Sequence, residues 1–268
     1  MSWIRVAVLL FPAFGCCAAP ITDSVRLSTK NLYGIGVHLQ YPAVIGVDAA
    51  RLNPLIERWV GAECSQSPMI RNTNLRHDTY LDAKACVTAL SRQCAAWQAA
   101  SGRSVLALSP CQAEITVVVK TETADLLVME LSSYGSTDYG TVLPAHPGSD
   151  TEYLNLDIRT GRALGVGDLL KFPYQAALQS MILRSLRAEF HIPANEKLTQ
   201  AGFDNDYPPI PRRVEVLSKG LLFAYQSSEL TFPAGAPPKV LVSYTALSSL
   251  IPENGPLSRF LDSSGQRH

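Results

Sequence analysis

The chain has 268 residues, with 23 Lys or Arg against 23 Asp or Glu, so its formal net charge is zero. A hydrophobic share of 47% and a charged share of 17% belong to a folded chain and exclude disorder as the default. Without a cationic surplus the chain does not read as a nucleic-acid binder, because phosphate contacts draw on Lys and Arg.

The first residues, MSWIRVAVLLFPAFGCCAAP, place Arg5 ahead of an apolar run over 6–14 and then small residues. That pattern predicts a secretory signal peptide over 1–19, since the run falls well short of the roughly 20 residues that span a bilayer. Two processing routes stay open. One is cleavage after Ala18. The other is a lipoprotein junction at Gly15-Cys16, with Cys16 as the lipidation candidate and a lipid as the sole membrane tether.

Residues 20–30 read as an arm or first edge strand, and 32–41 as a strand ending at Pro42. Asp48 is placed to cap a helix on which Leu52, Leu55, Ile56, Trp59 and Val60 form one apolar stripe. A second helix is expected from Thr79, with Tyr80, Ala83, Val87, Leu90, Cys94 and Trp97 at spacings of three and four, ended by Ser101-Gly102. Cysteines 64, 86, 94 and 111 remain after cleavage, an even number that in an exported chain favours two disulfides. Cys86 and Cys94 lie about 12 Å apart along one helix, too far to bridge. Antiparallel helices would bring Cys64 to Cys86 and leave Cys94 for Cys111, with the swapped pairing as the alternative.

Residues 113–121 and 126–134 predict a hairpin. A strand follows over 152–158, then a turn at Arg159-Thr160-Gly161, then a short helical turn capped by Asp168. Pro173 opens a third helix with Tyr174, Ala177, Leu178, Met181, Ile182, Ser185 and Leu186 on one face, closed by Pro193. A second hairpin turns at Gly220, a last strand covers 239–244, and 252–268 reads as a flexible tail. The expected class is α+β: antiparallel sheets built from hairpins, three main helices packed on them, and two subdomains over 25–130 and 131–251.

No nucleophile elbow, zinc-protease helix, phosphate loop or dinucleotide glycine pattern occurs. No Cys/His cluster has metal-ligand spacing, and no cofactor is expected. The histidines stand singly, and His146, in a loop, is the one distinctive candidate for a cryptic hydrolase. Residues 121–158 hold no Lys or Arg but seven acids: Glu122, Asp125, Glu130, Asp138, Asp150, Glu152 and Asp157. Such a segment is either a plain solvated face or a surface that steers a cationic protein. The expectation is a binding protein and not an enzyme.

Three runs then carry a resemblance: Ala145-His146-Pro147, Tyr153-Leu154-Asn155-Leu156-Asp157, and Thr160-Gly161-Arg162-Ala163-Leu164 followed by Gly167-Asp168-Leu169-Leu170. Together they are similar to the RsiV-like domain, whose loop with Ala-His precedes a strand of the type YxNxDxxTGxxLxxxDLF. Lys219-Gly220-Leu221-Leu222-Phe223 and residues 240–247 resemble its later strands, and 37–56 looks like the partner domain that usually precedes it. In RsiV anti-sigma factors this pair is the extracytoplasmic, lysozyme-binding part, and the pair also occurs beside peptidoglycan deacetylase domains. The stretch 227–235 departs from the family pattern, with Ser228 in place of a tyrosine and Phe232-Pro233 in place of Pro-Tyr.

The resemblance implies an exported cell-envelope protein, periplasmic or anchored at the outer membrane. It would bind and inhibit a lysozyme-like muramidase or another peptidoglycan hydrolase, as an immunity protein would. Contact is expected from loops 135–150 and 226–236 through Tyr139, His146, Asp150, Glu152, Glu229, Pro233 and the aromatic anchor Phe232. The alternative is a module that binds peptidoglycan or another envelope glycan directly, with Tyr134, Tyr139 and Tyr207 as stacking platforms.

Overall fold

The computed structural model describes residues 22–30, 36–65, 82–101, 112–136, 148–226, 229–231 and 237–263. The signal segment with Cys16, and Cys111, lie outside them. The chain divides into two compact units, one of residues 1–124 and 129–152, the other of 125–128 and 153–268. The fold is α+β.

In the first unit, β1 (Thr22–Lys30) pairs antiparallel with β2 (Gly36–Val44), Val25 opposite Tyr41. Two helices follow, α1 (Ala49–Ser65) and α2 (Ala83–Ser101), and then β3 (Gln112–Glu122). β3 pairs with β2 in parallel, His38 opposite Glu114 and Gln40 opposite Thr116. The expected antiparallel sheets with hairpins thus contain one parallel pair that the sequence did not announce. The connection from β2 to β3 is a long helical crossover, the kind of link that parallel neighbours need. With β4 (Leu126–Ser136), β5 (Gly148–Asp157) and the two-residue β6 (Arg162–Ala163), the strands form one mixed sheet in the order β1-β2-β3-β4-β5-β6.

Pro42 lies inside β2 instead of ending it. The β2–β3 pairing stops at Gln40, so beyond that point β2 has a partner on one side alone, where a missing N–H is tolerated. Asn53 then fixes the entry to α1: its carboxamide accepts from the Val44 N–H at 2.7 Å and donates to the Val44 carbonyl at 3.0 Å.

Helix α1 turns Leu52, Ile56, Val60 and Cys64 inward at every fourth residue, all without exposure. Burying side chains of the Leu, Ile and Val kind stabilises by about 1.5–3 kcal/mol each. On α2, Ala83, Cys86, Val87 and Leu90 are buried in turn. Cys64 and Cys86 form a disulfide with Cα atoms 6.2 Å apart, which ties the end of α1 to the first turn of α2. Cys94 lies on α2, and its side chain falls outside the described set.

Tyr41, buried on β2, has its hydroxyl 3.5 Å from Glu57 Oε1. Burial first, and then the Glu57 charge, push its phenol up to about 12. The folded value lies above the unfolded one of about 10, so this stabilising contribution is complete below pH ~10 and is lost as pH rises towards 12. Alkaline titration followed by circular dichroism should therefore show weakening above pH ~10, and Tyr41→Phe should remove part of that slope.

The second unit begins at the hairpin turn, where Ile158 donates to the Asp125 carbonyl at 2.8 Å. Asp157 accepts from Thr160 N–H at 3.0 Å, and Gly161 supplies the positive φ of 67° that the turn into β6 requires. Helix α3 (Val166–Leu169) is fixed by Asp168, which accepts from Gly165 N–H at 2.9 Å and pairs with Arg162. Helix α4 (Gln175–Glu189) buries Leu178, Ile182 and Leu186. They meet Val214 and Val216 of β7 (Arg213–Leu217), Leu221 and Phe223 of β8 (Gly220–Ala224), and Val240 and Val242 of β9 (Lys239–Ser243) in one apolar cluster. These strands form an antiparallel sheet in the order β7-β8-β9. A Cβ on Gly220 would stand 2.3 Å from the Val242 carbonyl oxygen, so glycine is required where β8 crosses closest to β9.

The flexible tail expected beyond Pro252 is corrected as far as residue 263. After α5 (Tyr244–Leu247) comes α6 (Ser258–Ser263), the last described element, with Leu257 and Phe260 buried. Phe260 stacks on Tyr244 with ring centroids 5.1 Å apart, and Arg259 pairs with Asp125 at 2.8 Å.

Candidate functional site

In the first unit, strand alternation divides the sheet into two faces. Ala113, Ile115 and Val117 of β3 are buried, whereas the alternate residues Glu114 and Val118 are exposed and Thr116 is half-buried. The parallel register sets Glu114 beside His38 and Thr116 beside Gln40. On β4, Leu131 and Ser133 are buried while Ser132 and Tyr134 are exposed. A groove of about 300 Å³ opens here, lined by Glu114, Thr116, Ser132, Ser133, Tyr134, Asp150 and Thr151. It combines two carboxylates, four hydroxyl side chains and the rim of an aromatic ring exposed at 43%. Such a surface can accept hydrogen bonds, attract cations and stack against a flat apolar group.

Of the residues expected to contact a partner, Tyr139, His146, Phe232 and Pro233 lie outside the described set. Asp150 stands in the groove wall, and Glu152 follows half-buried on the same strand. Glu229 belongs to the other unit, where its carboxylate accepts from Gln226 N–H at 2.9 Å and Arg212 N–H at 3.5 Å and so links the two residues. The groove residues Glu114, Thr116, Ser132, Ser133 and Thr151 escaped the sequence reading. Their one signal was the polar half of each strand's alternation.

The acidic segment 121–158 is partly neutralised in the fold. Glu130 pairs with Lys120 at 3.6 Å and Asp125 with Arg259, while Asp157 serves the turn to Thr160. Burial pushes the Glu122 carboxyl above its ordinary range, and its Oε1 has no hydrogen-bond partner. Glu114, just outside that segment, makes no ion pair among the described residues and lines the groove together with Asp150. No group of three or more His, Cys, Asp or Glu side chains able to hold a metal ion occurs among the described residues. None of the described helices is long and apolar enough to cross a membrane.

Taken together, these features define an α+β chain of two units, with a polar groove on the sheet of the first that is open among the described residues. Two solved structures share this fold over nearly their whole length. One is a DUF3298 family member from Bacteroides fragilis, at 18% identity and a TM-score of 0.68, with 92% of this chain and 98% of that one covered. The other is a DUF3298 family protein from Pseudomonas aeruginosa, at 16% identity and a TM-score of 0.61, with 87% and 96% covered. No protein-family model matches the sequence, and no curated protein matches it. The likeness is therefore one of fold.

Proposed function

We propose that this is an exported binding protein of the cell envelope, in the periplasm or anchored there by lipid, and that its target is a lysozyme-like muramidase or another peptidoglycan hydrolase. It acts by holding that enzyme in an inhibited complex, as an immunity protein does, and it is not itself a catalyst. The observation that carries the reading is the open groove whose lining combines the carboxylates of Glu114 and Asp150 with the exposed ring of Tyr134. A cationic hydrolase meets opposite charge there and finds an aromatic anchor at the centre of the contact. The RsiV-like motifs supply the class of target, and the Cys64–Cys86 bridge fits an oxidising compartment.

The same groove favours one alternative, because Tyr134 amid Ser and Thr hydroxyls also suits a glycan. Two assays on the purified mature protein separate the readings. Inhibition of at least one enzyme in a panel of cationic muramidases, with no co-sedimentation on purified sacculi, is the expected result. Sedimentation with sacculi that Tyr134→Ala abolishes, without inhibition of any muramidase, would replace the proposal by glycan binding.

A further inference from the structure

The three-stranded sheet of the second unit has two outer edges, and the chain treats them differently. Hydrogen-bond parity identifies which groups face outwards. Tyr225 donates to the Pro238 carbonyl at 3.0 Å and Tyr244 to the Lys219 carbonyl at 3.3 Å. With Leu222 opposite Leu241 in the register, residues 238, 240, 242 and 244 turn their backbone groups towards β8. Lys239 and Leu241 therefore turn theirs away from the sheet. By the same parity Val214 and Val216 face outwards on β7, and there the edge is closed. The Asn155 Nδ2 donates to the Val214 carbonyl at 2.8 Å, and its Oδ1 accepts from the Val216 N–H at 3.1 Å. One carboxamide stands in for a neighbouring strand. On β9 no such closure exists among the described residues.

Beside the open edge runs a groove of about 430 Å³, lined by Lys239, Val240 and Leu241 of β9 and by Ser185, Ala188, Glu189 and His191 at the end of α4. Its helix wall is made low by the short side chains of Ser185 and Ala188. Glu189 is exposed and has no ion pair among the described residues, while Lys239 is held at its own end by the Tyr153 hydroxyl at 3.1 Å.

We propose that β9 is a strand-addition site that takes an extended peptide segment of a partner protein, with a small aliphatic side chain over Ala188 and a basic one at Glu189. The backbone groups of Lys239 and Leu241 supply the affinity and the groove wall supplies the selectivity. Charge favours this occupant over a second copy of the chain. Glu189 is exposed and without an ion pair among the described residues, so a basic peptide side chain complements it, whereas a second copy would bring its own Glu189 as well as its Lys239 to the groove. The site lies within the second unit and does not depend on the hydrolase reading.

The test selects short random peptides, about seven residues long, on the full-length mature protein and measures binding of the winners by fluorescence anisotropy. Alternating sequences with a basic residue are expected. N-methylation of a winner at every second backbone nitrogen should weaken binding by about tenfold or more, while methylation of the intervening nitrogens should be neutral. Glu189→Lys should shift the preference from basic to acidic peptides. Leu241→Pro should abolish binding, since the N–H it removes points away from the β8 ladder. Binding that ignores the methylation pattern, or a selection that yields no binder, overturns the proposal. A concentration-dependent dimer lost in Leu241→Pro also overturns it, in favour of a second copy at the edge.

Discussion

Replacing Asn155 with alanine is expected to lower the stability of the protein by about 2–4 kcal/mol, read as a fall in the urea midpoint, because each buried backbone group left without a partner costs about 1–3 kcal/mol. Asn155 is 3% exposed, and its carboxamide serves the Val214 carbonyl and the Val216 N–H on the outer edge of β7. Its own backbone carbonyl accepts from Leu164 at 2.7 Å, so the residue joins the β5–β6 turn to the three-stranded sheet of the same unit. Leucine, similar in volume, should fail as badly as alanine, because it fills the space without satisfying either group. Thr160→Ala, on the exposed turn nearby, is the control and should change stability by no more than about 0.5 kcal/mol. An Asn155→Ala protein of unchanged midpoint would mean that the β7 edge finds its hydrogen bonds elsewhere.

The second large effect is expected at the bridge between the helices. Cys64 and Cys86 are 22 residues apart, and opening a loop of that length costs about 3 kcal/mol through the unfolded chain. Both sulfur-bearing side chains have no exposure, so the Cys64→Ala/Cys86→Ala double variant also loses packing between α1 and α2. Differential scanning calorimetry of the double variant should show a clearly lower Tm than wild type without any reductant. Equal Tm values would show that the helices hold their register without the bridge.

What the sequence reveals about this fold depends on how local each determinant is. Helices α1 and α4 were legible because Leu52, Ile56 and Val60, and Leu178, Ile182 and Leu186, recur at the helical period within one segment. The Cys64–Cys86 pairing was legible in part: helix rise excludes a Cys86–Cys94 bridge and antiparallel helices favour Cys64 with Cys86, but the swapped pairing stayed open until the fold placed the two helix ends together. The parallel pairing of β2 with β3 was not, since nothing in either strand records that the crossover of two helices returns the chain alongside β2. Arg259 and Phe260, which hold the C-terminal helix against Asp125 and Tyr244, belong to a stretch too short and polar to carry a periodic signal. The acidic run 121–158 was plain in the sequence, but its neutralisation was not, because Lys120 and Arg259 lie outside the run and meet it through folding alone.

The candidate site was legible in part for the same reason. Asp150 stood out through the charge run, and Tyr134 through its place at the end of a strand. Glu114, Thr116 and Ser132 lie on the two strands of the predicted hairpin, but the third wall, Asp150 and Thr151, comes from β5, whose place beside that hairpin nothing in those strands records. Asn155, Thr160, Gly161 and Asp168 carried the family resemblance. In the fold, Asn155 closes a sheet edge, Thr160 and Gly161 form the turn, and Asp168 caps a helix, so those motif positions serve architecture first.

The central claim is that the groove between β3, β4 and β5 captures a cationic peptidoglycan hydrolase. Its most direct test is calorimetric titration of a muramidase that the wild-type protein inhibits, against wild type and Glu114→Lys/Asp150→Lys, at low and at physiological salt. Saturable wild-type binding that weakens as salt rises is expected, with the double variant weaker by about tenfold or more at low salt and its thermal stability unchanged. Equal affinity of the two proteins at both salt concentrations would contradict the claim and place the contact away from this groove.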